Sequence, residues 1–247
     1  PRIAETPAGV LNSIGLQNPG VDVFIKDELP FLKKYNIKII ANIAGSTIEE
    51  YCELADILSD TATDAIELNV SCPNVNEGCI AFGNTAKGIS IITKRVKKSS
   101  TKPIIVKLTP NVADIKEIAK AAESSGADAI SLINTITGMA IDIHKKRPIL
   151  ANNFGGLSGP AIKPIALKMT YDVANTVKIP VIGMGGISSG NDAIEFMLAG
   201  AKAVMVGTWN FSNPKACIDI IEGITDYLMM YNCTSVYDII GKLVLNE

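Results

Sequence analysis

Short β-branched runs recur along this chain between longer helical patterns, and that alternation limits the possible folds more than any single motif. The runs are Ile39–Ile43, Ala65–Asn69, Ile104–Leu108, Ala129–Ile133, Val181–Met184 and Ala203–Val206. All are apolar enough to be buried on both faces, which is the mark of a parallel sheet covered by crossover helices. Between them, Ser46-Thr-Ile-Glu49 reads as a capping box opening a helix with Ile48, Cys52, Ala55 and Leu58 near helical spacing, so Cys52 is expected in the core. Asn111 is placed to cap a helix carrying Ile115, Ile118 and Ala122 that stops at Gly126, and Ser189 to begin another that stops at Gly200.

The two stops share a pattern. Residues 125–130, SGADAI, and 199–204, AGAKAV, each run from helix end through a Gly turn and a small residue into the next strand. Repeated βα units of this kind predict an α/β fold, a (β/α)8 TIM barrel, with an open flavodoxin-like sheet as the second choice. A barrel needs two more strands than the sequence displays. The shortage falls at the front, where residues 1–38 read as loop plus one helix around Val21–Lys34. The expectation is one domain over residues 1–247 whose first strands are missing from this chain.

Composition narrows the partners. With 23 Lys and Arg against 25 Asp and Glu there is no basic field to attract nucleic acid. No stretch approaches the roughly 20 apolar residues of a membrane span, and PRIAETPAGV lacks the pattern of a signal peptide, so the expected compartment is the cytosol. Five cysteines, at 52, 72, 79, 217 and 233, are odd in number and irregularly spaced, which argues for reduced thiols. Cys72 and Cys79 form no CxxC pair and the single histidine, His144, is distant, so no metal site is expected.

In a barrel, chemistry gathers where the strands end. Those positions are polar here: Asn42; Asn69 with Ser71, Cys72 and Asn74; Lys107 and Thr109; Asn134 and Thr135; Gly185 and Gly186; Gly207 and Thr208. Asn and Thr are neutral donors and acceptors, and Lys107 adds one positive charge within an apolar strand, a set suited to a planar, amide-rich ligand. Taken singly, each Asn reads as a cap or turn residue and Cys72 as a small hydrophobe. Two connections, about 18 residues from Val70 and about 25 from Asn134, exceed the usual βα loop and could act as lids. Gly183-Met-Gly-Gly-Ile-Ser-Ser189 and Val206-Gly-Thr208 follow the last two strands, where backbone N–H groups commonly hold a phosphate.

Together the segments LNSIGLQNPG, ANIAGS, ELNVSCPN, VKLTPN, SLINT, GGLSGPAIKP, VIGMGGISS and VGT resemble the dihydroorotate dehydrogenases of class 1, in that family's order and over almost the whole chain. The run GMAIDIHKKRPILAN is similar to class 1B, whose catalytic subunit joins an iron–sulfur flavoprotein that passes electrons to NAD. The resemblance implies FMN on this chain, and FAD and a 2Fe–2S cluster on the partner, with a homodimer of the catalytic subunit. It implies that Cys72 is the base that removes the C5 proton of dihydroorotate while hydride leaves C6. Asn12, Gly15, Leu16, Asn69, Asn74, Asn134 and Thr135 would hold the substrate, the product being orotate. Asn42, Asn69, Lys107, Ile133 and Gly159 would line the flavin, and Gly185, Gly186, Gly207 and Thr208 would hold its phosphate. A further flavin-contacting lysine of the family lies on N-terminal strands with no counterpart in this chain. Two other readings stay open: a dihydropyrimidine dehydrogenase-like barrel acting on uracil or thymine, and a non-catalytic barrel that binds a phosphorylated ligand.

Overall fold

The computed structural model describes residues 1–70 and 82–246. The strands are β1 (Ile3–Thr6), β2 (Gly9–Asn12), β3 (Ile40–Ile43), β4 (Ala65–Asn69), β5 (Ile104–Leu108), β6 (Ala129–Leu132), β7 (Ile136–Gly138), β8 (Ile141–Asp142), β9 (Arg147–Pro148), β10 (Gly155–Ser158), β11 (Val181–Met184) and β12 (Ala203–Met205). The helices are α1 (Val21–Val23), which runs through a π turn at Phe24–Glu28 into α2 (Leu29–Leu32), then α3 (Ile48–Ser59), α4 (Ala86–Ser99), α5 (Ile115–Ser124), α6 (Lys163–Ala174), α7 (Gly190–Leu198), α8 (Trp209–Ser212) and α9 (Ala216–Met230). All six runs expected to be strands form strands, within a residue or two of the expected ends.

The residues group into two compact units. One comprises residues 15–108 and 116–130, the other 1–14, 109–115 and 131–247.

In the first unit, β3, β4 and β5 pair in parallel. Ile66, Leu68, Ile104, Val106 and Leu108 are fully buried, as strands covered on both faces require. The starts of β3 and β5 are each fastened by an aspartate that precedes the next strand, whereas in β4 the Ile66 N–H donates to Pro103 O. The Asp64 carboxylate accepts the Ile39 N–H, and the Asp64 N–H donates back to Ile39 O. Asp128 makes the same reciprocal pair with Ile104 and also takes Lys97 Nζ. The Ile39 N–H, followed by the Lys38 ammonium, holds the Asp64 carboxyl down at about 2. Helix α4 starts at the Thr85 cap and buries Ile89, Ile92 and Val96, an i, i+3, i+7 stripe.

The helix stops follow their shared sequence pattern. Gly126 and Gly200 sit at φ +97° and +111°. In each, the next residue closes a six-to-one hydrogen bond, Ala127 N to Ala122 O and Ala201 N to Phe196 O, and the glycine closes the inner one, to Glu123 O and Met197 O. This is the Schellman stop, for which glycine is the residue with no steric cost.

In the second unit, β11 and β12 pair in parallel, and β1, β2, β10 and β7 form an antiparallel sheet in that order. Helices α7 and α9 approach closely enough that a Cβ on Gly190 would lie 2.6 Å from Gly223 Cα.

Four sequence expectations are corrected. The front of the chain holds the β1–β2 hairpin as well as a helix; its four-residue strands alternate too weakly to be noticed. The connection after Asn134 is not a plain loop, because β7 and β10 pair within it and β8 with β9. The cap of α3 lies one residue later than expected: Thr47 Oγ1 accepts the Glu50 N–H, and Glu50 Oε2 takes the Ser46 N–H. That rotates the buried stripe to Tyr51, Ala55 and Leu58 and leaves Cys52 only half-buried. Asn111 caps no helix and serves the site described next. Ser189 does begin α7, accepting the Asp192 N–H.

Candidate active site

Strand register in the first unit puts four polar side chains on one face. Asn42 is paired with Glu67, and Asn69 with Lys107, in adjacent parallel strands. Because side chains alternate along a strand, Glu67 and Asn69, two apart, point the same way, and their register partners follow them. The contacts agree: Asn42 Nδ2 donates to Glu67 Oε2, and Lys107 Nζ stands 3.8 Å from that same oxygen. Glu67 is 4% exposed, whereas the Lys107 side chain keeps 21% of its surface. The Asn69 backbone is held separately, its carbonyl taking the Tyr51 hydroxyl at 2.6 Å. Leu16 and Asn42 line one groove, with Pro19, Phe24 and Leu54. Gly15 and Leu16 both take positive φ, +78° and +59°.

Lys107 is therefore not the lone charge that its strand suggests. Glu67 escaped the sequence reading because it sits mid-strand rather than at the end; the signal was its two-residue spacing from Asn69.

The second unit gathers another polar group. Asn12 Nδ2 reaches Gly156 O at 3.4 Å, and Gly156 is in register with Asn12 on one side and Thr137 on the other. A Cβ on Gly156 would strike Thr135 Oγ1 at 2.1 Å, so only glycine allows Thr135 its place. Asn134 Oδ1 accepts the Thr135 N–H at 2.7 Å. Asn111 completes the group: its Nδ2 donates to Thr109 Oγ1 and Thr135 O, and its Oδ1 accepts from Thr137 N. Asn12, Asn134 and Thr135 are thus brought together, with Asn111 as the bracket. Ser13 Oγ, next to Asn12, is buried with no hydrogen-bond partner among the described residues.

The glycine loop after β11 lies in the same unit. Gly185 and Gly186 have φ +124° and +78°. A Cβ at Gly186 would come within 2.9 Å of Gly159 O and of Lys163 N, while one at Gly185 would meet Ala166 and Ile133. Gly159, Ile133 and the two glycines are therefore neighbours, and Ile133 N donates to Met184 O. Among the described residues, nothing lies within 4 Å of a Cβ built on Gly207, next to Thr208.

Behind the loop, Lys163 Nζ pairs with Asp192 at 2.6 Å and Glu195 at 2.9 Å. Asp192 also accepts the Ser188 N–H and the hydroxyls of Ser188 and Ser189. Burial by itself would raise the Asp192 carboxyl, but the Lys163 ammonium and the Ser188 and Ser189 donors outweigh it and hold the group at about 2. Those carboxylates, Asp192 first, raise the Lys163 ammonium above its ordinary value.

Cys72 and Asn74 lie outside the described residues. Among the described residues, no group of three or more His, Cys, Asp or Glu is placed to hold a metal, and no helix is long and apolar enough to cross a membrane.

Parallel strands followed by helices, in one unit with amides and an ammonium at the strand ends and in the other with a glycine loop before a capped helix, define a βα-barrel class of protein. In the first unit, Lys107 and Asn42 are donors of the kind that suits flavin ring carbonyls; in the second, by itself, Gly185, Gly186 and Gly207 leave backbone N–H groups approachable, as a phosphate requires.

Comparison with known proteins gives the family. Residues 1–228 match the family model described as dihydroorotate dehydrogenase, and the chain belongs to that family. Its fold is the TIM barrel, as the sequence predicted. The chain is 61% identical over 243 residues to a protein of Alkaliphilus oremlandii named dihydroorotate dehydrogenase B (NAD(+)), catalytic subunit, covering 98% of this chain and 80% of the relative. Relatives of the same name occur in Thermoanaerobacter pseudethanolicus, at 59% identity with the same two coverages, and in Porphyromonas gingivalis, at 52% with 100% and 81% covered.

The Asp192 network makes a pH prediction. A carboxyl held at about 2 when folded, against about 3.9 unfolded, adds stability that is complete above the unfolded value and is lost as pH falls through the folded one. Asp192→Asn should therefore cost on the order of 1–2 kcal/mol at pH 6, discounted for partial solvent screening, and almost nothing near pH 2. Urea unfolding at the two pH values measures this, and an equal deficit at both would contradict it.

Proposed function

We infer that this chain is the catalytic subunit of an NAD-linked dihydroorotate dehydrogenase, an enzyme that oxidises dihydroorotate to orotate in pyrimidine synthesis. The observation that carries the reading is identity of 52–61% to proteins of that name over nearly the whole chain. The reaction removes a proton from C5 and a hydride from C6 of the substrate, leaving a double bond between them. FMN, when bound, supplies the two-electron acceptor.

We assign the remaining work to residues of this chain. Cys72 takes the C5 proton, as its thiol can once the site favours the thiolate; a pKa near 8.5 is its starting point. Asn12, Asn69, Asn74, Asn134 and Thr135 hold the carboxylate and ring amides, with Gly15 and Leu16 supplying backbone at close approach. The buried Ser13 hydroxyl beside Asn12, unpartnered among the described residues, is consistent with a polar ligand there. Asn42, Lys107, Ile133 and Gly159 line the flavin ring, and Gly185, Gly186, Gly207 and Thr208 hold its phosphate. Asn111 acts at one remove, by fixing Thr135. We further propose a cytoplasmic enzyme, residues 1–247 serving as one FMN domain, that pairs with itself and with an iron–sulfur flavoprotein carrying FAD and a 2Fe–2S cluster.

Two measurements test this. Mixed anaerobically with flavin-loaded full-length protein, dihydroorotate should bleach the flavin absorption and dihydrouracil should not. Cys72→Ala should keep flavin and orotate affinity while the bleaching rate falls by roughly 10²–10⁴. Bleaching by dihydrouracil alone would move the substrate to neutral pyrimidines, and a parental rate in Cys72→Ala would remove the base. For the partner, the isolated subunit should reduce artificial dyes but not NAD at a comparable rate; efficient NAD reduction without a second subunit would contradict the assignment.

A further inference from the structure

The buried carboxylate of Glu67 has no part in the chemistry above, yet it touches two of the residues assigned to the flavin. Its Oε2 accepts Asn42 Nδ2 and stands 3.8 Å from Lys107 Nζ. It is 4% exposed on the central strand of the three, β4, with Asn42 beside it in register on β3. Lys107 stands one rung nearer the strand ends, in register with Asn69. The carboxylate thus lies beneath the ammonium, and the ammonium retains the more exposed position.

Fold stability is a weak account of such a pair. Taking two charges out of water costs much of what their attraction returns, and well-packed apolar residues commonly replace buried pairs without loss. What an apolar replacement could not supply is a fixed negative charge at contact distance from Lys107. In a poorly solvated site that charge offsets the field of the ammonium. Reducing a flavin adds negative charge to its pyrimidine edge, so the net charge facing that edge sets how readily reduction occurs.

We propose that Glu67 is a positioning residue for the flavin site: it holds Asn42 and Lys107 on one face of the strand ends and, by opposing the Lys107 charge, limits how strongly the site favours the reduced flavin. This rests on the reading of Asn42 and Lys107 as flavin-lining residues.

The test compares flavin-loaded full-length protein with its Glu67→Gln and Glu67→Asp variants, reading flavin affinity, the two-electron midpoint potential against reference dyes, and urea stability. Glu67→Gln keeps the shape and removes the charge, so the equilibrium constant for flavin reduction should rise roughly tenfold, which for two electrons is ~30 mV toward positive potential. Glu67→Asp keeps the charge but draws it back from Lys107 and should shift the potential the same way by less; it carries the test if the Gln variant fails to fold. A folded, flavin-bearing variant with the parental potential, whatever its stability, would overturn the proposal for Glu67 alone. Parental protein that takes up no flavin would instead overturn the cofactor reading on which it stands.

Discussion

A carboxylate and an ammonium placed side by side in a sheet of Ile, Val and Leu constrain each other, and that pairing organises the polar face of the first unit. Glu67 and Lys107 lie on neighbouring strands in which Ile66, Leu68, Ile104, Val106 and Leu108 are fully buried, and Asn42 donates a hydrogen bond to the carboxylate. The pairing fixes register as well as charge. A one-residue slip between β4 and β5 would turn Lys107 to the opposite face and strand Glu67 without its counter-charge. The same register that satisfies the pair carries Asn69 to the strand end beside Lys107.

A second constraint is the start of β3 and of β5. Asp64 and Asp128 exchange backbone hydrogen bonds with Ile39 and Ile104 and add a carboxylate to the N–H at those positions. In the other unit Lys202 occupies the corresponding place and makes only the backbone bond, N–H to Val181 O, since a lysine side chain cannot accept. The resemblance between SGADAI and AGAKAV therefore reports a shared backbone device, while the Asp-to-Lys difference marks where the side-chain fastening is absent.

Much of this was legible in the sequence, and the exceptions have local causes. Strands buried on both faces announce themselves as continuous apolar runs, and Gly126 and Gly200 announce helix ends because few other residues accept their φ. Asn111 misled because an Asn before a helical pattern suits a cap and a cross-link equally well, and only tertiary structure places Thr135 O and Thr137 N within its reach. The α3 cap moved by one residue because Ser46-Thr47 offers two hydroxyls and Glu49-Glu50 two carboxylates, so two capping registers compete. The β1–β2 hairpin is local but its short strands alternate weakly, and the pairing of β2 with β10 spans more than 140 residues, which periodicity within one segment cannot reveal. Of the site, the end-of-strand amides and glycines were visible as a set. Glu67 was not, because its two-residue spacing from Asn69 puts it on the polar face but names no partner until register is known.

The central claim is that the polar face formed by Asn42, Glu67, Asn69 and Lys107 meets the flavin ring. A crystal structure of the full-length protein with FMN and orotate tests it most directly. The account predicts that Lys107 Nζ donates to the pyrimidine edge of the ring while remaining paired with Glu67 beneath it. A ring seated away from these strand ends, or a Lys107 that leaves Glu67 for another partner, would contradict it.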